Sequence, residues 1–183
     1  MIAATDQTKK TYTIQAFSEN QIGLLNRITI IFTRRRVNIE TLTVSPSAIE
    51  GIHKFTIVVH ETMDKVKKVV GQIEKLVEVL KAFYLLDEDI VYQEIALYKV
   101  PTDEFLNSTE LEQIIRRHNA RILEIKKEYT IIEKTGHESE TQQLFEELKG
   151  YKIRQFTRSG RVAVTKLRQE LLTNYLKEVD QKR

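Results

Sequence analysis

The stretch FSENQIGLLNRITIIFTRR, Phe17–Arg35, begins as a strand and ends as a helix. Ahead of it, TYTIQAFS (Thr11–Ser18) alternates apolar and polar residues and is rich in β-formers, which reads as a half-buried strand. From Leu24 the period changes. Leu24, Leu25, Ile28, Ile31 and Phe32 share one helical face. The changeover is the loop ENQIG, Glu19–Gly23, which holds no nucleophile, general base or metal ligand.

Working outward, VNIETLTVSP (Val37–Pro46) reads as a strand stopped by proline, and IHKFTIVVH (Ile52–His60) as its hairpin partner. Val66, Val69, Val70, Ile73, Leu76 and Val77 recur at helical spacing, with Thr62 or Asp64 placed to cap the helix start. VLKAFYLL (Val79–Leu86) is a fourth strand. The order β-α-β-β-α-β specifies a split βαβ sandwich, an antiparallel sheet with two helices on one face.

The acidic run Asp87–Asp89 marks a boundary, after which the order repeats with weaker signals. IVYQEIALYKV (Ile90–Val100) is strand-like, and Pro101–Asp103 reads as a turn. Thr109 and Glu112 have capping-box spacing ahead of Leu111, Ile114, Ile115 and His118. ARILEIKK and YTIIEKTG read as strands, and Ser139 with Gln142 as a second cap before Leu144, Phe145 and Leu148. YKIRQFTRSGRVAVTK shows strand-like alternation. A last helix carries Leu167, Leu171, Leu172, Tyr175, Leu176 and Val179. The fold expected is α+β, two tandem ferredoxin-like βαββαβ domains: a tail over 1–10, a first domain over 11–87, and a second over 88–183 that includes the terminal helix. Small sheets of this kind leave an edge strand open to a second copy, so a homodimer is expected.

Composition narrows the function. With 41% hydrophobic and 30% charged residues in 183, the chain can bury a core and stay soluble. No apolar run approaches the ~20 residues of a membrane span, and MIAATDQTKK lacks the apolar segment of a secretory signal. The absence of cysteine excludes disulfides and thiolate chemistry and fits the cytoplasm. A net charge of +3 is little for a nucleic-acid binder. His53, His60, His118 and His137 are spaced too irregularly for a metal site, and no phosphate loop or serine elbow is present. TRRR (Thr33–Arg36) places cations at the negative end of the first helix.

The loop itself invites a ligand. Gly23 permits positive φ in a tight strand-to-helix turn, and Asn20 suits a cap or an Asx turn. A helix N-terminus also offers unpaired N–H groups and positive potential to a carboxylate. Asn20 can meet an ammonium or a carboxylate, and Ile22, Leu24 and Leu25 supply apolar surface. A zwitterion with a small branched side chain suits all three.

These residues resemble the ACT domain of the acetolactate synthase small, regulatory subunit family. The family pattern is close to E-N-x-x-G-x-L-x-R, then N-I-E-[ST]-L-T-V. Here those are Glu19, Asn20, Gly23, Leu25 and Arg27, then Asn38, Ile39, Glu40, Thr41, Leu42, Thr43 and Val44. QIEKLVEVLKAFYL and EIALYKV extend the resemblance, which is specific over residues 11–100. Asn26 stands where many members have serine, and Gln93 where arginine is common.

The resemblance implies a non-catalytic subunit that activates a larger catalytic subunit and confers feedback inhibition by a branched-chain amino acid: valine usually, leucine or isoleucine otherwise. Thiamine diphosphate, Mg and FAD would belong to that partner, with no cofactor or metal on this chain. The effector would lie between two ACT domains, with Asn20, Ile22, Gly23, Leu24 and Leu25 of one copy facing Asn38 and Ile39 of the other. The rival readings are a free-standing ACT-domain amino-acid sensor for another enzyme or for transcription, and an RNA-binding ferredoxin-like module. The RNA reading lacks paired aromatics on its first and third strands.

Overall fold

The computed structural model describes residues 8–180. Residues 8–91 together with 161–180 form one compact unit, and residues 92–160 form a second.

In the first unit β1 (Lys10–Glu19) runs into α1 (Leu24–Arg34). These are followed by β2 (Thr41–Pro46), β3 (Ile52–Glu61), α2 (Met63–Ile73) and β4 (Val79–Leu85). The sheet order is β2-β3-β1-β4, all neighbours antiparallel. One face is the core. Tyr12, Ile14 and Ala16 of β1 and Phe55, Ile57 and Val59 of β3 pack with Leu24, Ile28, Ile31 and Phe32 of α1. Val66, Val69, Val70 and Ile73 of α2 complete it. Each Val, Leu, Ile or Phe of this set, taken out of water, contributes about 1.5–3 kcal/mol against chain entropy.

Several local readings are corrected. The strand expected over Val37–Pro46 forms only from Thr41. Val37 instead closes the end of α1, its N–H donating to Phe32 O at 3.0 Å. Arg36 N–H donates to Thr33 O at 3.1 Å, so α1 ends in a Schellman turn with Arg36 in the left-handed region at φ 52°. Helix α2 stops at Ile73. Leu76 still packs on the core, but Val77 is fully exposed. Thr62 takes the cap position of α2 without a side-chain cap bond. The Glu61 carboxylate accepts the Thr62 N–H at 3.0 Å instead.

The second unit repeats the topology. β5 (Ile90–Val100), short α3 (Thr102–Leu106), α4 (Thr109–Arg117), β6 (Arg121–Ile125), β7 (Thr130–Gly136), α5 (Glu138–Leu148) and β8 (Gln155–Arg158) give the order β6-β7-β5-β8. Its core joins Ala96, Tyr98 and Val100 to Leu111, Ile114, Ile115, Ile132, Leu144 and Leu148. The turn expected at Pro101–Asp103 opens into α3. The cap of α4 is Ser108, whose Oγ accepts the Leu111 N–H at 3.1 Å, rather than Thr109. At α5 the box uses Glu140 rather than Ser139 and Gln142, with the His137 N–H donating to Glu140 Oε2 at 2.7 Å.

The remaining strand-like stretch resolves into β8 and β9 (Val162–Thr165), separated at Gly160 with φ 77°. The terminal helix α6 (Leu171–Asp180), read from sequence as part of the second domain, falls in the first unit. Residues 161–175 cover the second face of the β1–β4 sheet. The Arg161 guanidinium Nη1 donates to Thr13 Oγ1 at 2.9 Å and meets Asp87 at 2.6 Å. Gln15 Nε2 and Lys54 Nζ both donate to the Ala163 carbonyl, at 3.3 and 3.1 Å. Lys54 also faces Glu170 at 3.8 Å, and Lys81 lies over the Tyr175 ring. Burial pulls the Lys54 ammonium below its ordinary pKa, and Glu170 partly offsets this. Of the expected apolar stripe, Leu172 is buried, Leu171, Tyr175 and Leu176 are half-buried and Leu167 is exposed. The Val179 side chain lies outside the described residues.

Candidate functional site

The loop at the start of α1 is built from the backbone outward. Glu19 ends β1 with its N–H on the Glu78 carbonyl at 3.0 Å. The chain then folds on itself: Gln21 N–H donates to Glu19 O, and Leu24 N–H to Gln21 O at 3.2 Å. Gly23 is the N-cap at φ 83°, ψ −4°, a left-handed conformation that glycine adopts without steric cost. A Cβ built there meets nothing within 4 Å, so the space beside Gly23 is open.

No side chain caps α1, and its first turn holds no acidic residue. Arg27 N–H is the first to reach back into the helix, to Gly23 O at 3.2 Å. The N–H groups of Leu25 and Asn26 precede that bond, at the positive end of the helix dipole. This is the local chemistry of an anion site for a group the size of a carboxylate.

The candidate residues separate into those that face outward and those that do not. Asn20 and Gly23 are exposed, Ile22 is fully exposed, and Leu25 is 46% exposed although it lies in the helical run. Leu24 is 2% exposed and belongs to the core, so only its backbone is available. Asn38 is exposed and donates from Nδ2 to Glu40 Oε1 at 3.1 Å; Ile39 is half-buried against the core. Both precede β2 rather than lying in it. Within one chain the structure gathers Asn20 to Leu25 on a single loop. No hydrogen bond among the described residues joins that loop to Asn38 or Ile39.

Two residues absent from that set shape the loop. Arg27 Nη2 donates to Glu78 Oε1 at 2.7 Å, and the same Glu78 receives the end of β1 on its carbonyl. The Arg27 guanidinium holds the Glu78 carboxyl below its ordinary range. Val77, beside it, is an exposed apolar residue, as Ile22 is. Arg27 is visible in the motif, but its partner is distant in sequence and no local pattern announces it.

The first unit is thus an ACT-type regulatory fold, with an uncapped helix end presented on a pinned loop. Residues 14–81 match the family described as the AHAS small subunit-like ACT domain, and residues 93–167 the small subunit of acetolactate synthase. The chain is 34% identical to the acetolactate synthase small subunit of Bacillus subtilis, over 79% of this chain and 84% of that one. It is 33% identical to a probable small subunit of Archaeoglobus fulgidus, over 85% and 96%. The crystal structure of the small subunit from Thermotoga maritima matches with a TM-score of 0.79 at 28% identity, covering 87% of this chain and 99% of that one. This chain belongs to the acetolactate synthase small-subunit family, which supports a regulatory-subunit role.

Proposed function

We propose that the chain is a non-catalytic regulatory subunit that activates its acetolactate synthase partner and makes it sensitive to a branched-chain amino acid, valine first among them. The observation that carries this reading is the uncapped start of α1 at Gly23, with open space beside it, inside residues matched by the family's ACT domain. The effector's carboxylate would take the Leu25 and Asn26 N–H groups, and Asn20 its ammonium. The exposed Ile22 and Leu25 would meet its branched side chain. Asn38 and Ile39 would close the site from a second copy. Such a dimer also gives Ile22 and Val77 a surface on which to be buried.

Regulation then follows from linkage. An effector that binds one arrangement of the dimer better than another shifts the population by its differential affinity and no more. Thiamine diphosphate, Mg and FAD would be held by the large subunit, and a cytoplasmic setting fits biosynthetic chemistry.

The experiment is reconstitution. The chain alone should form no acetolactate from pyruvate. Added to its catalytic subunit it should raise turnover, and valine should lower that turnover only when the chain is present. Turnover by the isolated chain, or a catalytic subunit indifferent to it, overturns the reading. A free-standing amino-acid sensor would instead show effector binding in thermal shift with no response from the catalytic subunit.

A further inference from the structure

Side chains alternate along β5. Ala96, Tyr98 and Val100 enter the core of the second unit, so Leu97 and Lys99 point to the opposite face of the sheet. The register fixes their neighbours on that face. Lys99 stands opposite Ile131 of β7 and Gln155 of β8, and Leu97 opposite Thr157 of β8. Together with Tyr129, these residues line a cavity of about 160 Å³. Its apolar walls are the half-buried Leu97 and Ile131, and its rim is the exposed Gln155 and Thr157.

The lining holds a single charge and no carboxylate. Lys99 is half-buried, with Nζ 4.3 Å from the centre of the Tyr129 ring, and the Tyr129 hydroxyl donates to Glu124 Oε2 at 3.1 Å. Among the described residues no carboxylate pairs with Lys99, and no side-chain hydrogen bond engages Gln155 or Thr157. Glu133, opposite Leu97 on β7, is taken by Arg121 and Thr135. A ring face is a weaker partner for an ammonium than a carboxylate, whose hydrogen bond is charge-assisted. The free place on Lys99 therefore suits an anion, and Leu97 and Ile131 suit an apolar body beside it. An apolar cavity of ~150 Å³ holds benzene, so a ligand of about six to eight non-hydrogen atoms fits.

We infer that this cavity is a binding site for a small aliphatic monocarboxylate. The carboxylate pairs with Lys99 and takes hydrogen bonds from the Gln155 amide and the Thr157 hydroxyl, while the aliphatic body lies on Leu97 and Ile131. With no carboxylate in the lining, nothing balances an ammonium, so an α-amino acid is disfavoured here. That separates the site from the α1 loop, where a zwitterion is expected. All of its residues lie in the second unit, and it is independent of the regulatory reading.

The test is an NMR titration of the full-length chain with isovalerate, followed through the backbone amides. Saturable shifts should cluster at residues 97–99, 129–131 and 155–157, with Kd on the order of 1–10 mM. Isoamyl alcohol keeps the branched body and lacks the charge. Read at the same amides, it should bind at least about fivefold more weakly, and so should valine. Two variants leave the core untouched. Lys99→Gln should weaken isovalerate at least about fivefold. Gln155→Glu places an anion in register with Lys99 and should weaken isovalerate as much, while Tm holds or rises. The same Kd for isovalerate in the wild type and in a folded Lys99→Gln chain overturns the inference. The same Kd for isovalerate and isoamyl alcohol, or for isovalerate and valine, contradicts the ligand class. Shifts confined to residues 20–26 assign isovalerate to the α1 loop, and a titration that shows no saturable shift in the second unit leaves the cavity without this ligand. Either result contradicts the inference.

Discussion

Arg27 reaches Glu78 at 2.7 Å across 51 residues of sequence and thereby ties the start of α1 to the turn before β4. The same turn receives the end of β1 through the Glu78 carbonyl. The loop between, Asn20–Gly23, is therefore held at both its roots and free at its tip. That combination leaves the first backbone N–H groups of α1 without a side-chain cap.

Arg27→Gln should loosen this loop while leaving the core untouched, since both partners are solvent-accessible. The expected outcome is a several-fold higher valine concentration for half-inhibition of the reconstituted enzyme, with activation and Tm nearly unchanged. Because Arg27 favours the ionised Glu78, what the pair contributes is present above the ordinary carboxylate pKa and is lost as pH falls through the lowered folded value. Valine sensitivity measured from pH 7 downward should therefore fall toward the variant's level in the wild type as Glu78 protonates, and change less with pH in the variant.

Glu61 is a carboxylate of the first unit that the fold holds ionised well below the ordinary range. Its carboxylate accepts from Lys65 Nζ at 2.9 Å, Thr62 N at 3.0 Å and Lys9 Nζ at 3.2 Å. Lys65 above all lowers its pKa from 4.5 to about 2. A depressed carboxylate stabilises the fold above the unfolded value and loses that contribution as pH falls toward the folded one. Glu61→Gln should therefore lower Tm at pH 7 and make it less dependent on pH between 4.5 and about 2. A parallel pH profile in the two proteins would contradict this.

Arg161→Met tests the polar seam over the second face of the first sheet. The guanidinium is 8% exposed and bonds Thr13, itself fully buried. Its loss leaves a buried hydroxyl with one partner fewer, a cost of about 1–3 kcal/mol. Urea denaturation should show that loss. Hydrogen exchange should show faster opening of residues 161–175 than of the β1–β3 ladder.

This seam was the part of the fold that local sequence patterns conceal. The βαββαβ order was legible because the period changes from two to 3.6 at Leu24 and again at Val66, and burial follows those positions. The covering of Thr13 and Gln15 is a contact between residues 148 apart, made through polar side chains and the Ala163 carbonyl, which leaves no periodic signature. Hydrophobicity also misplaced single residues. Leu25 and Val77 fit an apolar helical face by type, yet Leu25 sits on the flank of α1 and Val77 lies beyond the end of α2, and both are exposed. The strand-to-helix loop was legible because the motif carries Asn20 and Gly23, and the structure leaves both exposed together with Ile22. Leu24 and Ile39 turn out to serve the core, and no hydrogen bond among the described residues brings Asn38 to the loop.

The most direct measurement of the account is feedback inhibition by valine of the enzyme reconstituted with Gly23→Asp. The space beside Gly23 is open, and aspartate tolerates left-handed backbone better than most residues, so the dimer and activation should persist. An aspartate there places a like charge about 4 Å from an effector carboxylate at the α1 N-terminus. The repulsion runs from ~1 kcal/mol in bulk water to ~4 kcal/mol at a protein surface, roughly fivefold to a thousandfold in affinity. The account predicts that half-inhibition moves to at least about fivefold higher valine, with dimer mass unchanged. Unaltered inhibition in a folded, dimeric Gly23→Asp protein would place the effector elsewhere and contradict it.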